Sequence, residues 1–241
     1  MGKVKIKRKS TLIDMTAMSD VTVLLLTFFM LTSTFLQKEP VTVITPSSVS
    51  EIKVPVSNLV SILVSPNGKV FMSVLGDASP EMKDEWGSEA FREKVLSKAV
   101  GEWNRLHPNN KVSLTQSEIE TFKKLNMYGV PFTQLKAFLD MSQTDQDKFI
   151  SNMENPAAGI PVNDNRDLEK PNEFQIWMTA VRNAAAEGND NMSSALRKGE
   201  GIAVKADKGT PYAIVHDVLD NLQTLKMNRF SIMTALKSSE D

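Results

Sequence analysis

The 241-residue chain has no cysteine and only two histidines, His107 and His216. The first absence excludes thiol catalysis, a cysteine zinc site and a disulfide framework. The second excludes a histidine cluster with metal-ligand spacing, and His216, set among apolar helical positions, reads as structural or surface-exposed. No Walker loop, dinucleotide fingerprint, zincin helix or nucleophile elbow occurs. "ADKGTP", residues 206–211, reads as a strand end and helix cap rather than a phosphate loop. No cofactor, metal site or enzymatic activity is expected. Past residue 36 there are 27 acids against 23 bases, so no basic patch suits DNA or RNA.

What is present is uneven. Lys3, Lys5, Lys7, Arg8 and Lys9 put five positive charges into a basic tail, residues 1–16. An apolar run then extends from Ala17 to Leu36, with Asp20 as its only ionisable side chain. Twenty helical residues rise roughly 30 Å, enough to span a hydrocarbon core. The tail places the N-terminus in the cytoplasm by the positive-inside rule, and Thr16 is the expected N-cap. A cleaved signal peptide is the rival reading, but nothing like A-x-A follows the run.

An acid inside a span costs about 2.5–3.5 kcal/mol on insertion scales and faces protein or water rather than lipid. Asp20 reads either as a proton carrier enclosed by another membrane protein or as a helix-start anion within reach of headgroup water. Thr27 and Thr34 follow it at seven-residue intervals and share its helical stripe. That stripe favours a protein contact or a proton path, against the alternative that each threonine bonds its own backbone.

Residues 37–57, with Pro40, Pro46 and Pro55, read as an extended tether of roughly 65–70 Å at full stretch. An α+β domain is expected over 58–241. Two β-branched runs flank Asn67-Gly68, a hairpin signal. Residues 202–206 alternate as a strand, Thr210-Pro211 starts a helix, and Phe230, Ile232 and Thr234 alternate as a last strand. Between them lies a helical stretch, about 76–171, with a capping-box pattern at Ser117 and Glu120. A further helix covers 173–187, and the helices are expected on one face of a small sheet.

Two blocks resemble the ExbD/TolR family of biopolymer-transport proteins: "DMTAMSDVTVLLLTFFMLTSTF", residues 14–35, and "IAVKADKGTPYAIVHDVLDNLQTLKMNRFSIMT", residues 202–234. Ala17 stands where the family usually has Pro, and segment 76–171 is absent from members of ordinary size. Without that segment, 37–75 and 172–241 make 109 residues, a normal small domain.

The resemblance implies a single-span inner-membrane subunit with a periplasmic domain, forming a homodimer inside a ring of an ExbB/TolQ-like polytopic protein. Asp20 would carry protons down the proton motive force, with Thr34 and Thr27 lining the path. Motion would pass to a TonB- or TolA-like protein. The competing functions are a tethered module that binds peptidoglycan or protein without ion coupling, and a signal-cleaved periplasmic enzyme.

Overall fold

The computed structural model describes residues 15–32, 43–45, 47–48, 55–152, 154–233 and 235–236. The chain divides between Lys38 and Glu39 into two compact units. In the first, Met15–Thr32 forms helix α1. Thr16 therefore sits inside its first turn rather than at the N-cap. Eighteen residues rise about 27 Å, and among the described residues no helix is long and apolar enough to cross a membrane. Residues 33–36 of the expected span lie outside the described residues.

The second unit is α+β. Its four-stranded sheet has the order β3 (Val70–Leu75), β2 (Leu59–Val64), β4 (Ile202–Ala206), β5 (Ser231–Met233). β2 and β3 pair antiparallel, whereas β4 lies parallel to both β2 and β5. The hairpin between β2 and β3 turns where Asn67-Gly68 predicts. Gly68 N–H donates to the Ser65 carbonyl at 2.9 Å, and Gly68 takes φ +73°, a left-handed backbone that glycine adopts without steric cost. β2 buries both faces, with Val60, Ile62 and Val64 on one side and Leu59 and Leu63 on the other. In β5, Ile232 is exposed, because this short strand pairs only with β4 among the described residues. The parallel connection from β4 to β5 runs through α9 (Tyr212–Thr224), as a parallel pair requires.

The expected helical stretch forms α2 (Lys83–Trp86), α3 (Ser88–Leu106), α4 (Gln116–Lys124), α5 (Phe132–Leu139) and α6 (Gln143–Ser151). The capping box belongs to Thr115 and Glu118 rather than Ser117 and Glu120; Thr115 N–H donates to the Glu118 carboxylate, which reaches back over the first turn. α7 (Glu173–Ala186) opens on a second capping box, Asn172 with Gln175. α8 (Asp190–Lys198) forms where no element was expected, capped by Asn189 and ended by Gly199 at φ +88°. Thr210 does not cap α9, since its hydroxyl instead donates to the Val64 and Ser65 carbonyls.

These helices share one apolar core with the sheet. α3 packs along α7, and Trp177 of α7 is enclosed by Phe122, Tyr128 and Phe132 at ring-centroid distances of 5.9, 4.7 and 4.9 Å. Tyr128 also exchanges both backbone hydrogen bonds with Met72, at 2.8 and 2.7 Å, and Ile160 N–H donates to Val70. The segment thus covers the outer edge of β3, which would otherwise offer unpaired backbone groups.

Part of the expected tether lies on the same body. Val43 is buried in the core, and Ser47–Ser48 (β1) pairs in parallel with Ala235–Leu236 (β6).

Candidate functional site

Asp20 lies on α1, the helix the apolar run forms. Large side chains from Met15 to Leu31 are exposed on every side, Leu25 at 50% and Leu31 at 88%. A helix with this much exposed apolar surface requires an apolar medium or a protein partner. Its hydroxyls are satisfied internally: Ser19 donates to Met15, Thr22 to Met18 and Thr27 to Leu24, at 2.8, 2.8 and 2.9 Å. Such back-bonding lets hydroxyls enter a medium that offers no hydrogen bonds. Asp20 has no such option. It is exposed and makes no hydrogen bond or ion pair with the described residues.

Asp20 and Thr27 lie two turns apart on one stripe. The Thr27 hydrogen is committed to the Leu24 carbonyl, so its oxygen can only accept from a group on that stripe. Thr34 lies outside the described residues. Thr16 precedes Asp20 by four residues on the same stripe.

In the second unit the chemistry concentrates in three other carboxylates. Asp207, at the end of β4, holds the tether: Oδ2 accepts Ile44 N–H at 2.6 Å and Oδ1 accepts Gly209 N–H at 2.7 Å. Lys208 N–H closes the contact by donating to the Ile44 carbonyl at 2.9 Å. This is the point where the "ADKGTP" stretch meets the chain leading from α1.

Asp77 follows β3 and is buried. Burial alone would push its carboxyl up. Donors from Ser79 (2.8 Å, backbone), Asn191 (2.7 Å) and Asn58 (3.1 Å) outweigh burial and hold the group well below the usual carboxylate range. Asn189 donates in turn to Asn58, whose φ is +53°. The D-x-S spacing at 77–79 is a turn signal that could have marked this residue.

Glu173, the first residue of α7, accepts Phe132 N–H at 2.8 Å. Burial pushes its carboxyl up, partly offset by that bond.

Neither histidine joins a site. His107 stacks on Trp103 at 3.8 Å, and His216 lies on the exposed side of α9, 3.5 Å from Asp220. Among the described residues no group of acids and histidines could hold a metal ion.

No curated protein and no solved structure matches the chain. The family model described as biopolymer transport protein ExbD/TolR matches residues 7–237, running from the basic tail through α1 and the helical segment to the end of the last strand. The chain belongs to the ExbD/TolR family of biopolymer transport proteins.

Proposed function

We propose that this chain is the proton-carrying subunit of an inner-membrane motor driven by the proton motive force. The apolar run of residues 17–36 crosses the membrane once, with the basic tail in the cytoplasm and the second unit in the periplasm. Asp20 takes a proton from the periplasmic side, is carried neutral within a ring of an ExbB/TolQ-like polytopic protein, and releases the proton towards the cytoplasm. A homodimer of the chain turns or shifts with each transfer. The tether passes that movement to the second unit, which acts on a TonB-like protein reaching the outer membrane.

The observation carrying this reading is the isolation of Asp20. It is the single ionisable side chain of an otherwise apolar helix, with no partner in its own chain among the described residues. An acid so placed needs solvation from another protein or from a water path. Family membership makes an ExbB/TolQ-type protein the natural source of both.

The test is Asp20→Asn in the native membrane. The variant is expected to insert, resist alkaline extraction and copurify with the several-span partner, while energised outer-membrane uptake is lost. Normal uptake by the variant would refute proton carriage at Asp20. Copurification of a TolA-like rather than a TonB-like protein would reassign the driven process without touching the motor. Loss of about the first 35 residues from the mature protein, read by intact mass, would remove the span and refute the membrane reading.

A further inference from the structure

A cleft of about 360 Å³ opens beside the start of α7, walled by Trp103, His107, Pro161, Val162, Pro171 and Glu173. One oxygen of Glu173 accepts Phe132 N–H; the other has no partner among the described residues. Among the described residues no cation opposes this half-buried carboxylate, and burial disfavours its charged form. A carboxylate against proline and valine walls, with one oxygen unused, is chemically incomplete.

The walls restrict what could complete it. The Trp103 ring stacks with His107 at 3.8 Å and with Phe132 at 4.8 Å. Trp103 is only 6% exposed, so its ring offers little surface for a sugar to stack on. What remains is a slot lined by Pro161, Val162 and Pro171 together with Asn163 and Asn172, with an anion in its wall, which suits an aliphatic stem ending in a positive charge. With one carboxylate oxygen already committed, a point-charge ammonium fits better than the two-pronged guanidinium.

We propose that this cleft receives a lysine side chain of a partner protein, its stem along Pro161, Val162 and Pro171 and its ammonium on Glu173. The site belongs to the helical segment and α7, and it does not depend on proton carriage by Asp20.

The test uses ¹⁵N-labelled full-length protein in detergent. The probes are Nα-acetyl-lysine amide and its norleucine counterpart, which keeps the stem and drops the charge. The reporters are the Trp103 indole N–H, bonded to the Asn110 carbonyl, and the Phe132 backbone N–H. The lysine probe is expected to shift both signals, with at least about fivefold smaller shifts from norleucine and in Glu173→Gln. Gln retains an acceptor for Phe132 N–H, and an unmoved Val181 amide signal further along α7 in the free variant verifies its fold. Val162→Lys supplies the ammonium internally and is expected to block the probe. Shifts of equal size in Glu173→Gln, no shift from the lysine probe, or a response to a chitin disaccharide instead would each overturn the proposal.

Discussion

Replacing Asp207 by Ala should loosen the tether without unfolding the body it rests on. The substitution removes two acceptors, the one for Ile44 N–H at 2.6 Å and the one for Gly209 N–H at 2.7 Å. Hydrogen bonds to a charged group contribute about 1.5–3 kcal/mol each when sheltered. Here the loop is partly open, so water recovers much of that and the net loss is about 1–2 kcal/mol for the pair. Val43 stays buried, and Lys208 N–H still donates to the Ile44 carbonyl, so docking is weakened rather than abolished. One to two kcal/mol corresponds to a factor of roughly 5–30 in the docked population. The assay is amide hydrogen exchange at Lys208, whose N–H is protected only while Ile44 is in place. Exchange there should accelerate roughly 5–30-fold in Asp207→Ala and less in Asp207→Asn, which keeps a neutral acceptor. The Val181 amide in α7 should be unchanged, separating local release from global unfolding. Unaltered exchange at Lys208 in Asp207→Ala would refute the clasp.

Two further substitutions test the core. The Tyr128 hydroxyl is buried, and no partner reaches it among the described residues. Tyr128→Phe should therefore leave stability unchanged or raise it by about 0.5–2 kcal/mol in urea unfolding; a loss above about 1 kcal/mol would reveal a partner for the hydroxyl. Asp77→Ala strands the amides of Asn58 and Asn191 and should cost about 2–4 kcal/mol. Because the folded carboxyl is held below its ordinary range, its contribution is fully present above about pH 4 and is lost as pH falls through the lower folded value. The gap between wild type and Asp77→Ala should accordingly narrow on acidification, and a gap that widens would contradict the sign.

Much of the fold was legible because it rests on local signals. The Asn67-Gly68 hairpin, the β4 alternation and the apolar face Val218 and Leu222 of α9 each depend on turn chemistry or on one short-range period. The misses came where a side chain has a choice of partners. Thr210 is a plausible cap by position, yet β2 lies near enough to claim its hydroxyl. Glu120 fits a capping box from Ser117, but the backbone enters the helix two residues earlier. The pairing of Tyr128 and Ile160 with β3 joins residues 56 and 90 positions apart in sequence, and no period in the chain encodes it. The tether shows the same limit: the docking of Ile44 depends on Asp207, more than 160 residues away.

The carboxylates show why the site was only half legible. In the sequence Asp20, Asp77, Asp207 and Glu173 are equivalent letters, and only the surroundings separate them. Asp77 has donors from three residues and is held ionised as a structural anchor. Asp207 has two backbone N–H groups and joins two distant segments. Glu173 has one donor and an open cleft. Asp20 has no partner among the described residues, and its apolar neighbours can supply none. Under the proposed function it is the one of the four whose partner comes from a second protein. That is why Asp20→Asn should leave the fold intact and be read only in the assembled, energised membrane, whereas substitutions at the other three register in the isolated chain.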